Sequence, residues 1–542
     1  MVNSLPLRDI PATTALYADF WEGAPALRGL LPRHFAQEGA FAEQAKRIDG
    51  TRYDRQTLRD VLREQNERFA AGDAALSAID RLVDPRSVVV IGGQQAGLFG
   101  GPLYTVHKAL TILQLSRRLE KQMGRPVIPV FWIASEDSDL AEVDHAFVTD
   151  ADGALRQLKL PSDSPAKMPV SRVRLGEKIG GLIDELAVLL PEGGCREEVL
   201  ADLRAAYTPG RTYPQAFGAW MAGLFRRQGL VMVDPSDTRL KRIAEGLFLR
   251  EIQEMSPVSS AVIEQTERLK KAGYAPQIDV RPGFLTLFYQ DPAREALSIR
   301  DGGFELKSSG KRFAVEELAA ALREDPDKFT PNAVLRPLLQ DTLFPTLAAV
   351  LGPAEIAYWC QLTLAYERMG IPMPIVFPRS SLTIVDPAMA RLRERLHVEL
   401  RDLLKRGAHI VDEILAREIP PSLTARMKEG RTTAQETWAG IAAEIDALDP
   451  TLHRTAQLAS ARTMMQFDFI DRKIAKAARR KNATVSAQAA RLVASLAPRG
   501  GLQERTLCVL PFLARYGSAI LDTAAEAIDP FTGEHREVVV EQ

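Results

Sequence analysis

The chain has few cysteines and no long apolar run. Its three cysteines, Cys195, Cys360 and Cys508, are far apart in a chain of 542 residues and form no CxxC pair. This spacing argues against a disulfide framework and against a structural zinc site. No apolar run reaches the roughly 18 residues that a membrane-spanning helix requires, so we expect no membrane partner.

The chain also lacks an excess of charge of either sign. It has 69 Lys and Arg residues against 70 Asp and Glu residues, a formal net charge of −1. A near-neutral balance argues against nucleic acid or an anionic membrane as the main partner. The first residues, MVNSLPLRDIPATTALYADF, lack the basic region and apolar core of a signal peptide. We therefore expect a cytoplasmic protein.

The best-defined pattern is a strand–helix–strand unit between residues 88 and 144. A β-branched run at 88–91 predicts a buried strand, apolar residues at helical spacing predict a helix over 103–123, and a second apolar run at 127–133 predicts the next strand. Polar clusters follow both strands. Open α/β sheets bind ligands at the carboxyl ends of their strands, so we expect the site there.

The first cluster is a glycine-rich turn, residues 92–101, with five glycines and two glutamines. Glycines allow close backbone approach to a ligand, and the start of the following helix favours an anion. The turn is neither a Walker loop nor a clean GxGxxG, so a tight turn without a ligand is the alternative. Tyr104, His107 and Lys108 share one helix face; their alternative is solvation at the helix edge.

The second cluster is Ser135, Glu136, Asp137 and Asp139, directly after the second strand. One of these acids could act as a general base if burial tunes its pKa toward neutral. The acids could instead bind Mg²⁺ together with a nucleotide, or form a solvated cap of the loop.

The motifs GQQAGLFGGPLYTVHK and PVFWIASEDSDLAEVDH resemble the cysteine-adding enzymes of bacillithiol biosynthesis, and the resemblance continues through residues 334–387 and 503–517. It implies an α/β fold with a Rossmann-like parallel-sheet core similar to class I aminoacyl-tRNA synthetases, an inserted connecting subdomain and a C-terminal helical coiled coil. It also implies a ligase that joins cysteine to the glucosamine amine of glucosaminyl-malate. Residues 104–107 stand where the synthetases carry HxGH, and only the second histidine position is kept.

The resemblance and the residue types together define the candidate site. Catalytic roles are assigned to His107, Lys108, Glu136 and Asp137, and no metal ligand is assigned. The expected cofactor is ATP, or bound ADP, with Mg²⁺, although the sequence leaves the energy source open. The candidate substrate- and nucleotide-binding residues are Gly93, Gln94, Gln95, Gly97, Tyr104, Trp132, Ser135, Asp139, Arg336, Gln340, Glu355 and Arg379.

Three of these candidates carry explicit alternatives. Arg336 is a candidate clamp for the malate carboxylates, because bidentate arginine–carboxylate pairs are strong. Glu355 either recognises the amino group of cysteine or of glucosamine, or only complements a helix dipole. Arg379 could bind an anion near the position of a KMSKS-type loop, but the pattern favours a surface arginine before a linker.

The chain divides into six predicted segments. These are an N-terminal helical layer (1–82), the first part of the Rossmann-like core (83–240), the inserted subdomain (241–330), the second part of the core (331–386), an antiparallel coiled coil (387–481) and a C-terminal helical segment that packs on the core (482–542). The coiled coil predicts a homodimer, with an ordinary helical bundle as the alternative.

Two other functions fit the same sequence. One is a nucleotide-dependent transferase that acts on another small sugar or amino-acid substrate. The other is a dimeric scaffold that binds a nucleotide without catalysis.

Overall fold

The computed structural model describes residues 3–162, 164–165, 168–291 and 294–541. The strands are, in chain order, β1 (Asn3–Pro6), β2 (Val88–Gln94), β3 (Val127–Ile133), β4 (His145–Thr149), β5 (Leu155–Lys159), β6 (Val231–Val233), β7 (Phe284–Gln290), β8 (Arg294–Arg300), β9 (Gly303–Leu306), β10 (Arg312–Phe313), β11 (Phe329–Pro331), β12 (Thr346–Leu351), β13 (Ile375–Pro378), β14 (Ser381–Val385) and β15 (Glu534–Val539).

The α-helices are, in chain order, α1 (Ala15–Glu22), α2 (Ala40–Asp49), α3 (Arg55–Arg68), α4 (Asp73–Asp80), α5 (Tyr104–Met123), α6 (Lys178–Leu189), α7 (Arg196–Ala206), α8 (Tyr213–Leu224), α9 (Thr238–Ile243), α10 (Glu245–Gln253), α11 (Pro257–Lys271), α12 (Val315–Glu324), α13 (Leu335–Leu343), α14 (Pro353–Trp359), α15 (Thr363–Met369), α16 (Pro387–Leu396), α17 (Leu400–Arg406), α18 (His409–Ala416), α19 (Pro421–Leu448), α20 (His453–Lys481), α21 (Ala483–Leu496), α22 (Leu510–Tyr516) and α23 (Ala519–Ala527).

The chain forms two compact units. The first comprises Met1–Ala151, Leu155–Val385 and Gln503–Gln542, and the second comprises Asp152–Ala154 and Asp386–Leu502. In the part of the chain that the structure describes, no helix is long and apolar enough to cross a membrane.

A five-stranded parallel sheet forms the centre of the first unit, with strand order β13-β12-β2-β3-β6. Its strands are almost fully buried, as parallel sheets covered on both faces require. The expected Rossmann-like parallel-sheet core is therefore confirmed, while the further likeness to class I synthetases stays a prediction. The predicted strand–helix–strand unit is present as β2, α5 and β3, although β2 runs three residues into the glycine-rich turn.

An antiparallel sheet of order β10-β9-β8-β7-β11 lies in the region predicted as the inserted subdomain. A third sheet, of order β1-β15-β14, joins the two ends of the chain. Sequence reasoning missed this sheet. The segments 1–82 and 482–542, both predicted as helical, therefore each contribute a strand to it.

The second unit contains the coiled coil. Helices α19 and α20 pair in antiparallel fashion. Trp438 Nε1 donates a hydrogen bond to Thr463 Oγ1, and Arg431, earlier on α19, forms an ion pair with Asp471, later on α20. The remaining helices differ from the prediction in two ways. The first part of the region predicted as coiled coil is divided into the three short helices α16, α17 and α18, because His397 and Gly407 adopt φ of 50° and 54°. Segment 482–542 is split, with α21 in the second unit and residues 503–542 in the first.

Candidate functional site

The glycine-rich turn follows β2 at the carboxyl end of the parallel sheet, as predicted. A Cβ on Gly93 would lie 2.6 Å from the Trp132 carbonyl oxygen, and one on Gly97 would lie 2.8 Å from the Gly101 Cα. Both positions therefore require glycine for close backbone packing. One side chain of the following helix forms hydrogen bonds to two of the candidate residues, Gly93 and Gln94.

That side chain is Lys108, which is buried beneath the turn. Its Nζ donates to the Gly93 carbonyl at 2.6 Å, to Gln94 Oε1 at 3.3 Å and to Glu355 Oε2 at 2.6 Å. Burial lowers the pKa of Lys108, and the Glu355 carboxylate opposes that shift. One ammonium group thus joins the end of β2 to the start of α14.

Glu355 fulfils one of the two roles that its sequence position suggested, at the start of a helix. Its Oε2 accepts a hydrogen bond from the Gly352 amide at 2.7 Å, which caps the start of α14. The same oxygen pairs with Lys108 Nζ at 2.6 Å, and recognition of a substrate amino group stays a prediction. Since Glu355 remains about a quarter exposed, its carboxylate can also meet a ligand.

His107 belongs to a second, fully buried cluster. Its Nδ1 lies 3.0 Å from Glu504 Oε2, and its Nε2 has no hydrogen-bond partner among the described residues. Burial lowers the pKa of His107, and the Glu504 carboxylate opposes that shift. Both His107 and Lys108 are buried, so the alternative of a solvated helix edge is wrong.

Glu504 holds that cluster together from the C-terminal segment. Its carboxylate accepts from Arg379 at 2.7 Å and from the Leu382 amide at 3.0 Å. Burial alone would raise the pKa of Glu504, but Arg379 and His107 hold it well below its usual range. Sequence reasoning missed Glu504, because nothing local indicates that it pairs with a histidine 397 positions away.

Arg379 is only 6% exposed, so the favoured interpretation as a surface arginine is wrong. Its guanidinium carbon lies 5.6 Å from the centre of the Tyr104 ring, a cation–π distance. Tyr104 is half-buried, and burial raises its pKa. The carboxylate of Glu504 already satisfies Arg379, so this arginine organises the site from within the protein.

The acidic cluster after β3 separates into different roles. Glu136 is buried and its Oε1 lies 2.8 Å from Lys241 Nζ. Burial raises the pKa of Glu136, and Lys241 counteracts the shift. Ser135 donates to Asp234 at 2.5 Å. A solvated loop cap is therefore wrong for Glu136.

The other two acids accept hydrogen bonds from residues of nearby loops. Asp137 accepts from Gln95 Nε2 at 2.6 Å and from the Ser138 amide at 2.7 Å. Asp139 accepts from the Ala141 amide at 3.1 Å, as a cap of the following turn. The side chains of this cluster thus point to different partners. Within the described ranges, no group of three or more His, Cys, Asp or Glu residues is placed to hold a metal ion.

A cavity of about 680 Å³ opens between the carboxyl end of the sheet and the antiparallel subdomain. Its volume suits a small organic molecule. The Trp132 Nε1 and the Ser259 Oγ atoms are buried in its lining and have no hydrogen-bond partner in the part of the chain that the structure describes. The charged residues of its wall are Glu136, Asp137, Asp279, Arg281, Arg294 and Arg336.

Arg294 of this wall was missed by sequence reasoning. It donates to Ser138 Oγ at 3.1 Å and to Thr330 Oγ1 at 3.0 Å, and its guanidinium lies 3.8 Å from the centre of the Phe288 ring. Residue 294 begins a strand of the inserted sheet, so only the three-dimensional fold brings it to the acids after β3.

Arg336 reaches the cavity, whereas Gln340 does not. Arg336 donates to the Tyr358 hydroxyl at 2.9 Å while lining the wall. Gln340, one turn further along α13, is buried and donates to Asp341 at 3.0 Å. Burial raises the pKa of Asp341 to about 6. Gln340 therefore belongs to a buried network and is not among the residues that line this cavity.

Comparison with known proteins gives matches over nearly the whole chain. Residues 3–380 match the family model described as the N-terminal Rossmann-like domain of bacillithiol biosynthesis BshC. Residues 382–540 match the model of its C-terminal coiled-coil domain.

Full-length relatives carry the name "Putative cysteine ligase BshC". The protein of Koribacter versatilis (strain Ellin345) is 36% identical over 544 residues, which cover 99% of each chain. That of Geobacillus kaustophilus (strain HTA426) is 33% identical over 551 residues and 99% of each chain. That of Salinibacter ruber (strain DSM 13855 / M31) is 32% identical over 533 residues, 98% of this chain and 95% of the relative.

Proposed function

This chain belongs to the bacillithiol biosynthesis BshC family, and from that premise we propose that it is a ligase that joins cysteine to the glucosamine amine of glucosaminyl-malate, giving bacillithiol. The observation that carries the proposal is the cavity at the carboxyl end of the parallel sheet. Its wall combines a buried carboxylate, Glu136, with the cations Arg294 and Arg336. These groups complement a substrate that has an amine and two carboxylates.

The reaction forms a bond between the cysteine carboxyl carbon and the amine nitrogen. The bond from that carbon to a leaving group breaks. The ammonium of the second substrate loses two protons: the second departs from the adduct with the leaving group or to solvent, and the first must be removed before the nitrogen attacks. Glu136 takes this proton as the general base, because burial moves its pKa toward neutral. Arg336 binds a malate carboxylate. Lys108 stabilises negative charge on the activated carboxyl group.

We also propose that ATP with Mg²⁺ supplies the activation. ATP would provide a leaving group for the cysteine carboxyl as an adenylate or an acyl phosphate. The glycine-rich turn is the candidate for this role, since it follows β2 at the carboxyl end of the sheet and Lys108 offers a cation beneath it. Gln94 and Gln95 would orient the bound group.

Incubation of the purified protein with cysteine, glucosaminyl-malate and Mg-ATP tests the proposal. We expect mass spectrometry to detect bacillithiol only when both substrates are present, with release of AMP or ADP. Product without nucleotide turnover would refute the ATP proposal alone. Absence of product from folded protein, with and without ATP, would refute the ligase proposal.

The second unit supports the proposal of a homodimer. Leu458, Met465 and Phe469 are exposed on α20 at spacings of seven and four, which places them on one helix face. An exposed apolar face of this kind marks an association surface. We expect Met465→Glu to yield monomers in sedimentation analysis. Ala475→Glu, exposed on another face of the same helix, should leave the dimer intact, and a monomeric parent would contradict the proposal.

A further inference from the structure

Lys241 is a buried cation that sequence reasoning did not select. It is 3% exposed and lies on α9, directly after the β6 strand. A buried ammonium is costly unless it is paired and hydrogen-bonded. Its Nζ contacts Glu136 Oε1 at 2.8 Å and donates to the Phe329 carbonyl at 3.0 Å.

These two contacts connect the parallel sheet with the antiparallel subdomain. Glu136 follows β3 of the parallel sheet, whereas Phe329 begins β11 of the antiparallel subdomain. Asp327 adds a weaker contact, with its Oδ1 3.9 Å from Lys241 Nζ. The ammonium is therefore fixed in position by backbone and side-chain oxygens, and it fixes the direction of the Glu136 side chain in turn.

The contact with Lys241 also gives the two carboxylate oxygens of Glu136 different surroundings. Oε1 is sealed from solvent against Lys241, while the residue lines the cavity. Oε2 is therefore the oxygen available to a ligand. A carboxylate with one oxygen neutralised by a fixed cation and the other free presents a single acceptor to an ammonium group.

We infer that Lys241 is the positioning residue of this site: it keeps Glu136 ionised and aims Oε2 at the amine of the acceptor substrate. This inference rests on the proposed function for the identity of the amine. Lys241 itself does not contact substrate. It acts through Glu136.

The other charges around Glu136 do not replace Lys241. Asp234, after β6, adds a like charge that disfavours the carboxylate, and Arg294, on β8, favours it. Arg294 is itself held by Ser138 and Thr330, and Asp327 contacts Lys241 without contributing a cation. When Lys241 is removed, burial and Asp234 should still raise the pKa of Glu136, and Arg294 alone should lower it.

The first test is the pH dependence of kcat/KM for glucosaminyl-malate in Lys241→Met and Lys241→Arg. We expect the acidic limb of Lys241→Met to move to higher pH by about one unit or more, with Lys241→Arg close to the parent. A purely structural role would lower the rate by the same factor at every pH. That result would overturn the inference while leaving the proposed function in place.

The second test needs no activity. Unfolding free energies are measured against pH for the parent, Lys241→Met, Glu136→Gln and the double variant. We expect Lys241→Met to destabilise the parent more than it destabilises Glu136→Gln, with the difference fading at low pH as Glu136 takes up a proton. Additive effects at every pH would overturn the inference, even if the parent forms no product.

Discussion

The core of the first unit and the α19–α20 hairpin of the second place their charges in opposite ways. Lys108, His107 and Glu504 are almost completely buried, whereas the ion pairs of Arg431 with Asp468 and Asp471 lie on the hairpin surface. Burial of a charge is expensive, and surface pairs contribute little to stability. Loss of a buried partner in the first unit should therefore cost far more stability than loss of a surface partner in the hairpin.

The largest expected effect comes from the carboxylate that holds the second cluster. Glu504→Gln leaves Arg379 buried without its anionic partner, and breaking a buried pair costs about 3–5 kcal/mol. Denaturant unfolding should show this loss of stability. Asp471→Asn is the hairpin control, and its unfolding should stay near that of the parent. Equal losses in the two variants would contradict the contrast between the regions.

The next effect concerns activity. Lys108→Met removes the cation beneath the glycine-rich turn, and we expect product formation to fall by about 10²–10³-fold, as for other residues that stabilise developing charge. The double variant Lys108→Met/Glu355→Gln leaves no unpaired buried charge and so separates lost chemistry from lost folding. Lys428→Met, on the exposed face of α19, should keep parental activity. A similar loss in that control would contradict the account.

The contribution of Asp341 to the free energy of unfolding should change with pH by about 3 kcal/mol. Its pKa of about 6 in the folded protein exceeds the roughly 3.9 of an exposed aspartate. The stability that it contributes is therefore fully present below pH 4 and is lost as the pH rises through about 6. The parent minus Asp341→Asn difference in unfolding free energy should fall by that amount between pH 4 and pH 7. A flat difference would mean that Asp341 titrates normally.

The smallest effects come from two glycines. Gly440 lies inside α19, where an added Cβ meets nothing within 4 Å, so Gly440→Ala should stabilise the hairpin by about 1 kcal/mol. Gly93→Ala would force the Trp132 carbonyl away and should destabilise the core by about 1–3 kcal/mol. Thermal unfolding should give opposite signs. The same sign in both would show that backbone packing does not distinguish the regions.

Local patterns predicted the parts of the fold that depend on neighbouring residues. The β2–α5–β3 unit and the long helices of the coiled coil follow from apolar periodicity. The β1-β15-β14 sheet could not be predicted in this way, because its strands lie at opposite ends of the chain and one of them is Glu534–Val539, inside a segment that reads as helical.

The candidate site residues also differ in whether local sequence patterns indicate them. The sequence identified Lys108, Glu136 and Arg336, since each follows or flanks a predicted core strand or helix. It missed Lys241 and Arg294, which lie in α9 and in the inserted sheet and reach the acids only through the fold. Side-chain pairing over such separations has no periodic pattern in the sequence.

A crystal structure of the protein with glucosaminyl-malate tests the central claim most directly. The account predicts the ligand in the cavity of about 680 Å³, with its amine on Glu136 and a malate carboxylate on Arg336. Ligand bound elsewhere, with the cavity and both side chains free, would contradict it.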